Sequence, residues 1–268
     1  MNQNGNGNGT RVPAIDRAVQ ILQTLASSDA PLGVSELSRR LHLNKSTVHD
    51  LLSTLSHHHL IERNDAAKTY RLGYGLTQLA HYANDRSSVR AVAHPYLSAL
   101  ARAVDETVYL GTFHAGHVTI LDKEEPPHDF KITAPLGRRL HYSAGAFGKT
   151  FLAALTEIDA LKLMRDKPPR AFTPNSITKT ADYRAALREV RAQGYALDDE
   201  EYLAGVRAVA APINDARGRV TGALCVVGFK TRMPMDKLVR IAKQTCLAAR
   251  TISRQLGAVE YPAWKGVG

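Results

Sequence analysis

Apolar residues begin to recur at helical spacing from residue 14, after an opening Asn/Gly tract. Ile15, Ala18, Val19, Leu22 and Leu25 fall three and four apart, which predicts a helix over 14–27 with one apolar stripe. The run SSDAPLG ends it. In SELSRRL, Ser35 is expected to cap a second short helix that turns Leu37 and Leu41 inward. Beyond the tight connection HLNK, the residues Val48, Leu51, Leu52 and Leu55 mark one face of a third helix, STVHDLLSTLSHHH. Two extended runs, LIER and TYRLG, flank NDAAK, a spacer of hairpin composition. Three short helices and a hairpin predict a winged helix-turn-helix over 12–74, preceded by a disordered tail at 1–11. GLTQLAHYAN then reads as helix inside a linker at 75–86.

Residues 87–260 alternate differently. A helix is expected over 88–104, strands over TVYLGTFH and HVTILDKEE, and a glycine-entered helix over AGAFGKTFLAAL. A helix follows in TADYRAALREVRAQG, ending at Gly194. GVRAVAAPIND and RVTGALCVVGF read as strands joined by a hairpin at ARG. A long closing helix runs to Gly257. Hairpin-linked strands interrupted by helices predict an α+β domain with an antiparallel sheet.

Charge complicates the picture. The chain carries a formal +10, which suggests an acidic partner such as nucleic acid. Residues 1–85 hold eight Lys/Arg against seven Asp/Glu, while 86–268 hold 27 against 18. The excess therefore lies outside the helix-turn-helix, and local placement has to decide. Lys45, Ser46, Thr47 and His49 stand near the start of the third helix, with donors suited to phosphates and base edges. Arg39, Arg40, Lys68 and Arg71 are placed to grip flanking phosphates. Double-stranded promoter DNA is the partner this pattern predicts.

SAGAFGKT, residues 143–150, resembles a phosphate-cradling loop but has Ser143 where the first glycine belongs. An ATP site is not expected. The helix start is expected instead to offer unpaired N–H groups of Gly145 and Ala146 to a carboxylate. The alternative is glycine used only for packing. Two cysteines are too few for a disulfide framework or a CxxC metal site. HHH at 57–59 has no further ligand in view, so neither a metal nor a cofactor is expected. Charged residues at 22%, the lack of a secretory pattern and the lack of a membrane-length apolar run point to a cytoplasmic protein with no membrane partner.

The stretches NKSTVHDLLSTL, YRLGYGLTQLA, GRRLHYSAGAFGKTFLAAL, EVRAQGYALDDEEYLAGVRAVAAPIND and AARTISRQLG together resemble the IclR-type transcriptional regulators over residues 12–257. The resemblance implies a winged helix followed by an effector-binding domain of GAF-like fold. It also implies homodimers or homotetramers that act on promoters in response to small organic acids. By motif position, it implies that Asp198, Ala208, Cys225 and Val227 wall the effector pocket. Strand alternation independently puts Ala223, Cys225 and Val227 on one face. Cys225 and Val227 stand where members that bind very small polar acids are expected to carry hydroxyls. This points to an aromatic or medium-sized carboxylate. Asp198 reads either as an acceptor for an effector hydroxyl or as a turn cap, and Asp199, Glu200 and Glu201 as a solvated run. Asp50 departs from the basic residue usual after STVH. It reads either as an intramolecular partner or as a base reader.

The leading expectation is a ligand-responsive regulator of a catabolic operon, and not an enzyme. The rival is an enzyme acting on a small organic acid with a fused helix-turn-helix. His114, His117, His128 and His141 lack ligand spacing, and no nucleophile elbow or HExxH occurs.

Overall fold

The computed structural model describes residues 12–84 and 89–261. The expected tail at 1–11 and the last two residues of the 75–86 linker lie outside them. The chain forms two compact units, residues 1–86 and 87–268.

In the first unit, helices α1 (Pro13–Ala26), α2 (Val34–Leu41) and α3 (Lys45–His57) surround a small sheet. Its strands are β1 (Leu32–Gly33), β2 (Ile61–Asn64) and β3 (Thr69–Leu72), in the order β1-β3-β2. Ile21, Leu37, Val48 and Leu52 are fully buried between them. Two expectations need correction. On α1 the inward face is Ala18, Ile21, Leu22 and Leu25, while Ile15 and Val19 are 62% and 44% exposed. Both sets are spaced three and four apart, and only packing against α3 and β3 chooses between them. Ser35 does not cap α2. Gly33 occupies the cap position, two residues earlier, because β1 pairs Leu32 and Gly33 with Tyr70 and Thr69 and the helix starts directly after it.

Helix α4 (Tyr74–Asn84) follows the wing. The amides of Gly73 and Gly75 donate to the carbonyls of Leu60 and His59 at 2.9 Å. A Cβ on either glycine would fall 2.4 and 2.7 Å from the His59 carbonyl oxygen. These glycines permit close packing, so the start of α4 is fastened to the wing and is no free hinge.

The second unit is built on a six-stranded antiparallel sheet. Its elements are α5 (Val89–Val104), β4 (Thr107–His114), β5 (His117–Glu124), β6 (Arg139–His141), α6 (Gly145–Ala154), α7 (Glu157–Asp166), α8 (Thr180–Gln193), β7 (Ala196–Asp199), β8 (Val206–Asn214), β9 (Val220–Phe229) and α9 (Met235–Gln255). The strand order is β6-β5-β4-β9-β8-β7. Alternation along the central strands makes two cores. Val108, Leu110, Val209, Ala211, Leu224 and Val226 pack with α5 and α9. Tyr109, Ala208, Ala210, Ala223 and Cys225 pack with α6, α7 and α8 on the other face. Among the described residues, no helix is long and apolar enough to cross a membrane.

Candidate functional site

Helix α3 enters with Asn44 in extended conformation at its N-cap. Its buried residues Val48, Leu52 and Leu55 turn the opposite side outward, so Lys45, Ser46 and His49 are exposed and Thr47 is half-buried. Asp50 is exposed, and the His49 ring stands 4.0 Å from its carboxylate. No arginine pairs with Asp50 among the described residues.

The flanking cations are less free than their sequence suggests. Arg39 and Arg40 both grip Glu36, at 2.7 and 2.6 Å. Their hydrogen bonds pull the Glu36 carboxyl down to about 2. Arg71 holds Glu62 at 2.7 Å across the β2–β3 ladder. Such exposed pairs are worth about 1 kcal/mol or less and open readily to a phosphate. Lys68 makes no ion pair among the described residues; it sits at the hairpin tip with φ of 53°.

In the second unit, a cavity of about 90 Å³ opens between the sheet and α6. Ala146, Asp198, Ala208, Cys225 and Val227 line it, as the sequence grouped them. Gly145 stands behind Asp198. Its own φ is 56°, and a Cβ there would lie 1.8 Å from Asp198 Oδ2. The Gly145 N–H is not free as expected, since it donates to the Ser143 carbonyl at 3.0 Å. The carboxylate that stands against this helix start is the protein's own Asp198. Gly148 also serves packing, with its missing Cβ falling 1.4 Å from the Tyr142 carbonyl oxygen.

Asp198 caps a turn. Its Oδ1 accepts from the Glu201 N–H at 2.6 Å. Burial, and then the neighbouring Glu201 carboxylate, push the Asp198 carboxyl up to about 6. Each of the acids beside it is ion-paired, and Asp199 stays exposed. Asp199 pairs with Arg207 at 2.6 Å, Glu200 with Lys230, and Glu201 with Lys149. Lys149, the P-loop-like lysine, is only 5% exposed and pairs with Glu201 beside the buried Asp198. Burial raises the Cys225 thiol, which makes it an inert wall.

Sequence reasoning missed Tyr109, Phe147, Arg138 and the 132–134 segment, all of which line the cavity. Tyr109 is held neutral, pushed up to about 12 chiefly by burial, and its hydroxyl donates to the Ile132 carbonyl at 3.3 Å. Arg138 is exposed and makes no ion pair among the described residues. The alternation of TVYLGTFH does place Tyr109 on the face opposite Val108 and Leu110. The 126–138 segment carries no periodic signal.

An exposed helix face on a winged helix and a largely apolar cavity are thus joined in one chain. The family model for the IclR helix-turn-helix domain matches residues 14–65, and the one for the bacterial transcriptional regulator IclR C-terminal matches 81–254. The chain belongs to the IclR family. It is 32% identical over 252 residues to the HTH-type transcriptional regulator XynR of Escherichia coli (strain K12), covering 94% of this chain and 99% of that relative. It is 32% identical over 254 residues to the glycerol operon regulatory protein of Streptomyces coelicolor, covering 93% and 98%. The crystal structure of an IclR transcriptional regulator from Alicyclobacillus acidocaldarius superposes with a TM-score of 0.81 at 28% identity, covering 92% of this chain and all of that one. As an IclR-family member, this chain is a DNA-binding transcriptional regulator with a small-molecule effector domain, and not an enzyme.

Proposed function

We propose that the chain regulates a catabolic operon by sensing an aromatic or medium-sized carboxylate in the α6 cavity. The observation that carries this reading is the cavity's lining. Tyr109, Ile120, Phe147, Leu140, Cys225 and Val227 make apolar walls, and Arg138 stands among them without a counter-charge from the described residues. An apolar body suits those walls, and a carboxylate suits the guanidinium. Ala146, Asp198 and Ala208 complete the effector site, with Gly145 supporting Asp198. A void of about 150 Å³ takes benzene, so a ring entering a cavity of about 90 Å³ displaces the 132–134 segment. That segment is held by the Tyr109 hydroxyl, which donates to the Ile132 carbonyl at 3.3 Å, and by the Thr133 hydroxyl, which donates to Glu125 and accepts from Lys123 at 2.9 Å. The relative named for a glycerol operon supports control of a catabolic operon.

At the other end, Lys45, Ser46, Thr47 and His49 read the major groove of promoter DNA, and Arg39, Arg40, Lys68 and Arg71 hold phosphates. The unit boundaries support a division into a DNA-binding domain at 12–74, a linker at 75–86 and an effector domain at 87–260. Effector binding shifts a homodimer or homotetramer, in the cytoplasm, between arrangements of differing operator affinity. Calorimetric titration with benzoate, hexanoate, pyruvate and glyoxylate tests the reading. Benzoate or hexanoate should bind, and Arg138→Gln should weaken either about tenfold, the worth of one charge-assisted hydrogen bond. Binding of pyruvate and glyoxylate alone would overturn it.

A further inference from the structure

Of the surplus positive charge of residues 86–268, the lining of the effector cavity takes Arg138 alone among the described residues. Part of it gathers at the edge of the large sheet. Among the described residues strand β6 is an edge strand paired with β5 alone, with His141 opposite His117 and Arg139 opposite Thr119. Leu140 lines the cavity, so alternation turns Arg139 and His141 to the opposite side, together with His117. The His117 and His141 rings lie 6.3 Å apart, edge to face. Lys167 follows α7 and reaches over the β4–β5 turn, where its Nζ donates to the Ala115 carbonyl at 2.8 Å. Arg170 is anchored beside them by its backbone N–H, which donates to Ser143 Oγ at 3.0 Å.

The hydrogen bonds around Ser143 fix the proton on His141. The backbone N–H of Ser143 can only donate, and it points at His141 Nδ1 from 3.3 Å. Ser143 Oγ, which accepts from Arg170, gives its own proton to the same nitrogen at 2.8 Å. Nδ1 is therefore the acceptor, and the neutral ring carries its proton on Nε2. That Nε2–H has no acceptor among the described residues. The Arg139 and Arg170 guanidinium groups make no ion pair among them either, and Lys167 spends one of three donors on a carbonyl. Cations surround both rings. His141 is pushed down to about 4, by burial first and then by Arg170, His117 and Lys167. His117 is lowered by burial, Arg139, Lys167 and Arg170. No carboxylate acts on His141 to relieve this field.

We propose that this sheet edge is a second anion site, distinct from the effector cavity, in which Arg139, His141, Lys167 and Arg170 bind a phosphate group. The phosphate is either free in solution or part of a duplex backbone. The site stands independently of the effector assignment, because none of the four residues lines the cavity.

The test follows the imidazole NMR signals of His117 and His141 at pH 6 in the full-length protein as sodium phosphate replaces sodium chloride at constant ionic strength. Both rings should move saturably toward their imidazolium positions, since a bound anion favours the charged ring. Lys167→Glu with Arg170→Glu should cut the apparent phosphate affinity roughly tenfold or more. Both side chains are exposed, and the milder Arg170→Gln should give an intermediate loss. A duplex longer than the operator distinguishes the sources. If the backbone is the ligand, that duplex shifts the same rings and the double variant lowers the salt slope of its binding. If the ligand is free phosphate, only the inorganic ion shifts them. A response to phosphate no larger than to chloride, or one unchanged in the double variant, overturns the proposal.

Discussion

Helices α3 and α6 are similar in length and opposite in use. α3 buries three residues and turns Lys45, Ser46 and His49 to solvent. α6 buries all ten of its residues, lysine included. On our proposal, α3 presents its exposed residues to duplex DNA. The other helix frames a cavity, and its glycines and lysine answer to internal partners: Gly145 to Asp198, Gly148 to Tyr142, and Lys149 to Glu201. The same residue types that suggest phosphate binding therefore do structural work once they are buried. Exposure decides which role a glycine-rich helix start plays.

The contrast can be broken first at Lys149. Lys149→Met strands Glu201 next to the buried Asp198 without a cation, so denaturant unfolding should show a loss of about 3–5 kcal/mol. A loss below about 1 kcal/mol would mean that the pair is effectively solvated.

Next comes the pH dependence of Asp198. Its folded value of about 6 lies above the 3.8 of a free aspartate carboxyl, so the folded state holds the proton longer. The associated stability is fully present below about pH 4 and is lost as pH rises through about 6, which amounts to ~3 kcal/mol. Asp198→Asn keeps an acceptor for the Glu201 N–H and removes the charge. Its stability relative to wild type should rise across that window and level off above it. A pH-independent difference would show that the carboxyl is not perturbed.

The smallest effect belongs to α3. Lys45→Ala should weaken DNA binding across sequences and lower the salt slope by about one, with effector binding untouched. An unchanged slope would remove Lys45 from the phosphate contacts.

The two helices also differ in how legible they were. Val48, Leu52 and Leu55 announce α3 because their partners lie within the same short unit. The period-2 pattern of β4, β8 and β9 likewise revealed the sheet and grouped Ala223, Cys225 and Val227. Four elements escaped notice, the two-residue β1 among them. β6 spans three residues and β7 four, too few for alternation to register. α7 had a readable signal in Thr156, whose side chain accepts from the Asp159 N–H. The cavity was half visible. Asp198, Ala208, Cys225 and Val227 came from motif and strand pattern, whereas Arg138 and the 132–134 segment reach it from an aperiodic loop. Nor could sequence show that Asp198 occupies the ground in front of Gly145, since 53 positions separate them.

The central claim is that cavity occupancy governs duplex recognition within one chain. Fluorescence anisotropy of a labelled promoter fragment from beside the chain's own gene, with random duplex as competitor and with and without a carboxylate that calorimetry has shown to bind, tests it most directly. The account predicts a preference for the promoter fragment whose affinity changes roughly 5–150-fold when the carboxylate is added. Equal affinity for promoter and random duplex, or a promoter affinity indifferent to a bound carboxylate, would contradict it.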